Sequence, residues 1–347
     1  YALKKAKIGD KTYKICKDVN EFKESVGIEG TTSYDDLLNA ITNNENITGR
    51  YEEWLKEAIT NLSQNKEFDG VDFSVLLYNI QRMKILEKTP EEIKTEAQNL
   101  VARAYFDQFT GEVAVNSENI TKIVFLHEAL GHATTEVIVE EGENIYFRTK
   151  AIISVLDRKE NGVVNKIDNI MIGDGIEEGK ADCLAEAALN YTEICSSGYS
   201  IEKETFREFK ETLGLSWKDI INNGMTLKIL AKMSEQGIKE PIQYIDNSDM
   251  LHYVEIFEEI DEEITFQNNI GGFLVEYAEA QLEKGRAVEE ITTQISQMIQ
   301  KSEYYDSYIG GTMTDFTNMQ NYEKQIITSI ENLKEQDKEN EEELELE

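Results

Sequence analysis

Apolar residues recur at spacings of three and four over much of this chain, and that period predicts helices. Before residue 101 it runs through Tyr34–Ile41, Tyr51–Leu62 and Val71–Leu86. Thr89 followed by Pro90 predicts a further helix start, with a cap and a proline at the first helical position. A helical N-terminal region is therefore expected.

The helical period returns from residue 200 and persists to about residue 299. Gly271–Gly272 and Gly310–Gly311 are the expected breaks between helices in this part of the chain. The predicted helical stretches are Ile201–Leu213, Trp217–Met233, Met250–Ile260, Phe273–Leu282 and Ile291–Ile299. The residues from 339 onward are mostly acidic and are expected to form a solvated tail.

Strand-like alternation appears in two places. The first 17 residues carry six lysines around Gly9–Asp10, which predicts a hairpin with a basic face. Alternation within Arg103–Asn116 predicts a second pair of strands. Further strands are expected at Val137–Val139, Ile145–Phe147 and Ala151–Leu156.

Two long helices are expected among these middle strands. Ser117 is a candidate cap for the first, which runs into His127. Asp174–Gly175 opens the second, which extends to about Tyr191. The pattern predicts a predominantly helical α+β fold with a hairpin and helical region over 1–101, a core over 102–199, a helical region over 200–338 and the tail over 339–347.

Composition narrows the classes of function. The chain has 347 residues, with 68 acidic against 35 basic side chains and a net charge of −33. This charge repels phosphate backbones and anionic lipids, so nucleic acid binding is not expected. The longest apolar runs, such as Ile123–Leu126, fall far short of the roughly 20 residues of a spanning helix, so no membrane insertion is expected.

The cysteines bear on the redox compartment. Cys16, Cys183 and Cys195 have no CxxC spacing and cannot all pair, which argues against a disulfide framework and a cysteine metal site. The chain opens at Tyr1 without an apolar signal segment. The cytoplasm is the favoured compartment, and secretion with a signal removed stays open.

The strongest chemical signal is His127-Glu128-Ala129-Leu130-Gly131-His132, which holds two of the three histidines of the chain. Five residues advance about 500° on an ideal α-helix and leave the two imidazoles about 140° apart. A single π turn would bring His127 and His132 into line, and Gly131 is the residue best able to absorb that distortion. The spacing therefore predicts a metal site on a helix with a π turn.

A third metal ligand is expected on the second helix, within Glu177-Glu178-Gly179-Lys180-Ala181-Asp182. Glu178 and Asp182 are four apart and share one face. If Glu178 binds the metal, Asp182 can accept a ring N–H of a liganding histidine. Acidic groups clustered near two histidines favour a bound cation.

These two motifs resemble those of the gluzincin metallopeptidases, and the five-residue histidine spacing is closest to the dipeptidyl peptidase III family. The resemblance implies a zincin-like catalytic core and one zinc per chain, bound by His127, His132 and Glu178. It implies that Glu128 activates water, with Glu177 and Asp182 beside the ligands. A peptide or protein is the implied substrate.

Several questions stay open at this stage. The same family has a downstream histidine that helps to stabilise the transition state, and His252 matches it in order and approximate distance only. A helix histidine with one hydrogen bond is the alternative for His252. An endopeptidase is as compatible with the site as an enzyme that removes dipeptides. A zinc amidase for a non-peptide substrate and an acidic interaction protein with a structural or relic metal site are the alternatives to a peptidase.

Overall fold

The computed structural model of the protein describes part of the chain: residues 6–8, 11–16, 18–96, 102–108, 110–141, 144–148, 151–158, 164–190, 199–257, 266–301 and 323–333. Some predictions concern residues outside these ranges. They are the turn at Gly9–Asp10, Cys195, the break at Gly310–Gly311, the tail 339–347 and the ends of two predicted helices, Tyr191 and Ile260.

The chain divides into two compact units. The first comprises Tyr1–Ser197 and Ser216–Lys228, and the second comprises Gly198–Leu215 and Ile229–Glu347. Every strand of the described residues belongs to the first unit, and the second unit is described as helices. The protein is thus α+β and predominantly helical, as the hydrophobic pattern predicts.

The unit boundaries differ from the regional boundaries drawn from sequence. No unit boundary falls between residues 101 and 102, because the N-terminal helices and the middle strands form one compact unit. Near residue 199 the first unit ends at Ser197, but the chain re-enters it at Ser216–Lys228.

The helices and strands are numbered in chain order. The helices are α1 (Val19–Val26), α2 (Tyr34–Asn43), α3 (Arg50–Gln64), α4 (Ser74–Arg82), α5 (Pro90–Glu96), α6 (Lys122–Leu126), α7 (Asp174–Ala188), α8 (Ser200–Thr212), α9 (Trp217–Asn222), α10 (Met225–Gln236), α11 (Pro241–Phe257), α12 (Phe266–Glu283), α13 (Val288–Lys301) and α14 (323–333). The strands are β1 (Ala6–Ile8), β2 (Lys11–Ile15), β3 (Lys84–Lys88), β4 (Ala104–Asp107), β5 (Glu112–Asn116), β6 (Val137–Glu141), β7 (Asn144–Arg148), β8 (Ala151–Arg158) and β9 (Val164–Ile172).

The strands form three small sheets. One has the order β1-β2-β7-β6, with β2 and β7 parallel and the other neighbours antiparallel. The second has the order β3-β5-β4, in which β3 and β5 are parallel. The third is the antiparallel pair β8-β9. The antiparallel pairing of β1 with β2 and of β4 with β5 confirms both strand pairs predicted from alternation.

The predicted helix start at Thr89 is also confirmed. The Thr89 hydroxyl accepts from the Glu92 N–H at 3.3 Å, and the Glu92 carboxylate accepts from the Thr89 N–H at 2.9 Å. This reciprocal pair satisfies two backbone donors that the first turn of a helix leaves over. The cap fixes the beginning of α5 at Pro90.

The prediction of one helix over Val71–Leu86 is wrong at its C-terminal end. Helix α4 ends at Arg82, and Lys84–Lys88 is strand β3. Residues Lys84 to Lys88 pair in register with Glu112 to Asn116 of β5, about thirty residues away. Pairing with a distant strand overrides the local helical period, which is a weaker preference.

Ser117 is not the cap of α6, as the sequence suggested. Its N–H and its hydroxyl both donate to the Lys88 carbonyl, at 3.1 and 3.3 Å, so the residue closes the end of the β3-β5 pair. Helix α6 starts five residues later, at Lys122, with Thr121 at its N-cap position. The helix that leads into His127 is consequently shorter than predicted.

Three boundaries in the later helices also differ from prediction. The stretch Trp217–Met233 is two helices, α9 and α10, separated at Gly224, whose φ is +58°. Gly271–Gly272 lies inside α12 and breaks nothing. Helix α7 ends at Ala188, short of Tyr191, because Asn190 adopts the left-handed conformation at φ +52°.

Helix α7 is the central helix of the first unit. Nearly every residue from Asp174 to Ala188 is buried, including charged side chains that the next section describes. It packs against the residues that follow α6 and against α3. Among the described residues, no helix is long and apolar enough to cross a membrane.

Candidate metal centre

The segment after α6 changes its helical geometry at the predicted place. Residues His127–Gly131 form a π turn, followed by a 3₁₀ turn over His132–Thr134. The wider turn brings His127 and His132, five residues apart, onto one side, and their Nε2 atoms are 3.0 Å apart. The predicted π turn is confirmed, and with it the convergence of the two imidazoles.

Gly131 has a different role from the predicted one. Its φ of −55° and ψ of −65° are ordinary right-handed values, so the backbone makes no special demand for glycine. The demand comes from packing, because a Cβ at Gly131 would lie 2.8 Å from both Cα and the carbonyl oxygen of Ala181. The missing side chain lets α7 approach the π turn closely.

We expect Gly131→Ala to lower the free energy of unfolding by about 1–3 kcal/mol, because backbone atoms of α7 must move to admit the methyl group. The thermal midpoint of the metal-free protein measures this effect. Gly272→Ala is the matched control, since that helical glycine would place its Cβ 3.7 Å from the nearest atom, in the Tyr244 ring. The control is expected to keep or raise the midpoint; equal midpoints for both variants would contradict the packing role.

Glu178 on α7 supplies the third converging atom. Its Oε2 lies 3.0 Å from His127 Nε2 and 3.4 Å from His132 Nε2. A tetrahedral ion with bonds of 2.0–2.1 Å to nitrogen and oxygen has ligand atoms about 3.3 Å apart. The three edges of 3.0, 3.0 and 3.4 Å therefore match a set of ligands that could hold one metal ion.

The outer nitrogens of both rings face carboxylates. His127 Nδ1 lies 2.5 Å from Asp182 Oδ1, the partner expected from sequence, and His132 Nδ1 lies 2.9 Å from Glu136 Oε1. Both carboxylates are buried. A Nδ1–H donated to a carboxylate leaves the Nε2 lone pair facing inward, and this is the tautomer that a metal ligand needs.

Glu136 was missed by the sequence analysis. It lies four residues after His132, and Asp182 follows Glu178 at the same spacing. The available signal was therefore an i, i+4 pair that starts from the second histidine of the motif.

The protonation of the metal-free site reflects this crowding of charge. Burial disfavours the imidazolium of His132, but Glu178 and Glu136 outweigh it and raise the pKa of His132 to about 10. Burial also opposes a charged His127, and Asp182 overrides it so that the pKa of His127 is raised. Burial raises the pKa of Glu178, but the two histidines dominate and hold it well below its usual range.

These shifts predict that zinc binding releases protons. The pKa of about 10 lies above the ordinary 6.5, so in the neutral range the imidazole of His132 carries an extra proton that must leave when a metal binds. The apparent affinity should then rise about tenfold per pH unit for each proton displaced, between pH 6 and 7.5. Calorimetry in buffers of different ionisation enthalpy counts the released protons, and we expect at least one per zinc. An affinity independent of pH would contradict the assignment.

Glu128 occupies a distinct place beside the three ligands. Its Oε2 is 4.0 Å from His132 Nε2, outside the set of three atoms that converge, and its side chain keeps some exposure. Burial raises the pKa of Glu128, an effect that the two histidines partly offset. A carboxylate next to a metal site but not bound to it can accept and donate a proton there.

Glu177 does not contact either histidine directly by a hydrogen bond in the described residues. Its Oε1 accepts from the Thr135 hydroxyl at 2.6 Å and pairs with the ammonium of Lys180. Lys180 is fully buried and also donates to the Gly131 carbonyl at 2.8 Å. Glu177 and Lys180 thus join α7 to the turns that carry the two histidines.

A second group of side chains could hold an ion on distance alone, namely His132, Glu136 and Glu177. The Lys180 ammonium already pairs with Glu177 in this group, and His132 is bound to Glu136 through Nδ1. The Lys180 ammonium already supplies the positive charge beside Glu177, so His127, His132 and Glu178 remain the candidate metal centre.

His252 belongs to the second unit, on α11. It is buried, its Nδ1 lies 2.9 Å from Glu202 Oε1, and its ring stacks on Tyr199 at a centroid distance of 6.0 Å. A buried helix histidine with a carboxylate partner agrees with the alternative considered from sequence. The catalytic role of His252 stays a prediction.

Comparison with protein families, with curated proteins and with solved structures finds no match to this chain.

Proposed function

We propose that this protein is a zinc-dependent peptidase with a zincin-like core formed by the π turn and α7. The observation that carries the proposal is the convergence of His127 Nε2, His132 Nε2 and Glu178 Oε2 at 3.0–3.4 Å, with the carboxylate of Glu128 beside them. Two neutral imidazoles and one carboxylate form a typical ligand set for catalytic zinc, which keeps a fourth position for water.

Each residue of the site has a part in this proposal. The chemistry that zinc supplies when bound is a lowered pKa for a coordinated water and polarisation of a substrate carbonyl. The Glu128 carboxylate accepts a proton from the attacking water and donates it to the leaving amine. Asp182 and Glu136 hold His127 and His132 in the tautomer that presents Nε2.

The position of Glu128 favours an enzyme over a structural metal site. A structural zinc site usually closes its fourth position with a protein ligand and has no use for a neighbouring base. In the described part of the chain the candidate set contains three ligands, and Glu128 stands outside it with a pKa raised by burial. A raised pKa suits a group that must both accept and return a proton near neutral pH.

The experiment that tests this function combines metal analysis with substrate screening. Zinc content is measured by elemental analysis on the purified protein, and the zinc-loaded protein is then incubated with a mixed peptide library. One zinc per chain together with peptide cleavage supports the peptidase. Zinc without any cleavage of peptides favours an amidase for other substrates or a structural site, and no zinc after reconstitution refutes the proposal.

A further inference from the structure

Asn79 on α4 is fully buried, and its side-chain amide is completely used. Its Nδ2 donates to the carbonyls of Ala133 and Glu136, both at 2.8 Å. Its Oδ1 accepts from Arg82 Nε at 3.1 Å and Arg82 Nη2 at 2.8 Å. A primary amide offers two donors and two lone pairs, so these four contacts leave it a single orientation.

The two carbonyls lie within and just after the 3₁₀ turn that follows the π turn. Ala133 is in the 3₁₀ turn that contains His132, and Glu136 is the residue whose carboxylate faces His132 Nδ1 at 2.9 Å. Asn79 therefore bridges the short stretch that begins beside the second histidine and ends at its carboxylate partner. It reaches this stretch from 54 and 57 residues away in sequence.

Arg82 is itself held in place. Its Nη2 also donates to the Gln108 carbonyl at 2.6 Å, and its guanidinium lies 5.0 Å from the centre of the Tyr78 ring. Gly111, with φ +76°, lies so close that a Cβ there would be 2.8 Å from Arg82 Cγ. The turn between β4 and β5 thus packs on Arg82 and fixes the guanidinium that donates to Asn79 Oδ1.

We propose that Asn79, held by two hydrogen bonds from Arg82, is a positioning residue that orients His132 through Glu136. Asn79 contacts no metal-binding atom. It holds the Glu136 backbone, which limits where the Glu136 carboxylate can lie, and that carboxylate holds the Nδ1 side of His132. The functional consequence of this inference rests on the proposed zinc site. Its structural part, the orientation of His132, does not.

Zinc dissociation constants from competition with a chromogenic chelator test the proposal, with the metal alone as the probe. Glu136→Ala is expected to weaken zinc binding by about 10- to 100-fold, the usual effect of losing the partner of a liganding histidine. Asn79→Ala should weaken it by about tenfold. In the Glu136→Ala background the same Asn79→Ala change should alter the constant by no more than about twofold, because the side chain through which Asn79 acts on His132 is already absent.

Asn269→Ala is the matched control. Asn269 is a buried amide of the second unit, and its Nδ2 donates to the Tyr244 carbonyl and the Ser248 hydroxyl, both at 3.1 Å. Its loss should lower the thermal midpoint and leave the zinc constant unchanged. Full additivity of Asn79→Ala and Glu136→Ala would overturn the proposal, since a purely structural amide would weaken zinc binding equally in both backgrounds.

A readout without metal separates this inference from the peptidase proposal. The chain has three histidines, so ¹⁵N-histidine spectra of the metal-free protein report on His132 directly. Asn79→Ala should shift the His132 Nδ1 resonance toward the chemical shift of an imidazole without a carboxylate partner. Asn269→Ala should leave that resonance unchanged. A lack of zinc binding by the unsubstituted chain refutes the peptidase proposal alone. Unchanged His132 resonances in Asn79→Ala overturn this inference, whether or not the chain binds zinc.

A second variant covers the case in which Asn79→Ala yields no folded protein. Arg82→Lys keeps the charge but cannot donate to both Asn79 Oδ1 and the Gln108 carbonyl with a planar fork. It is expected to give a smaller loss of zinc affinity in the same direction, and that loss should be absent in the Glu136→Ala background. An equal loss in both backgrounds would overturn the proposal.

Discussion

Glu128→Gln is expected to lower the rate of peptide cleavage by about 10²- to 10⁴-fold while zinc content stays at one per chain. Glutamine keeps the size of the side chain but cannot accept a proton from water at neutral pH. Glu128 Oε2 is 4.0 Å from His132 Nε2 and lies outside the three converging atoms, so its loss should leave the ligands in place. The measurement is kcat/KM on the best peptide of the library, with zinc content determined on the same samples.

The matched control for this change is Glu118→Gln. Glu118 is exposed in the turn that precedes α6, so the substitution removes the same charge without touching the site. The control should cleave peptides at the rate of the unsubstituted protein. Undiminished cleavage by Glu128→Gln would refute the role of Glu128, and a loss of zinc in that variant would assign it to the ligands.

Removing one metal ligand is expected to weaken zinc binding by about 10²- to 10³-fold. Structural zinc sites with four ligands bind with about 10–16 kcal/mol, so an equal share for each ligand is about 3 kcal/mol. His132→Ala and Glu178→Ala each remove one corner of the triangle of ligand atoms. Elemental analysis after dialysis should find the unsubstituted protein with one zinc per chain and both variants nearly without it.

His252→Ala is the control for the ligand series, because it removes the remaining histidine of the chain and lies in the second unit. It should retain zinc. Full retention of zinc by Glu178→Ala would place the third ligand elsewhere. Cleavage by the zinc-loaded His252→Ala variant additionally decides whether this histidine takes part in catalysis.

Much of the candidate centre could be predicted because its motifs are local. The five-residue spacing of His127 and His132 has one solution on a single helix, a π turn, and that turn is present. Glu178 and Asp182 are one helical turn apart, so the geometry of a helix alone places them on one face. The need for glycine at position 131 could be predicted from the motif, but the physical reason for it could not, since its packing partner Ala181 is fifty residues away.

The errors in the fold have a common cause. Lys84–Lys88 satisfies a helical period locally and is nevertheless a strand, because β5 pairs with it from a distant part of the chain. Ser117 has the chemistry of a helix cap and uses it on the Lys88 carbonyl instead. In both cases a partner distant in sequence competes with a local preference that is typically worth about 1 kcal/mol.

The sequence by itself determined the helical character of the chain, its acidic surface charge and the residues able to bind a metal, because periodicity, charge and motif spacing are properties of neighbouring residues. Only the tertiary structure decided how these residues are held. It brought Lys180 to the Gly131 carbonyl and Glu177 to the Thr135 hydroxyl, and it placed the amide of Asn79 against the carbonyls of Ala133 and Glu136. Buried polar groups must find partners wherever the fold supplies them, and residues distant in sequence supply several of those partners here.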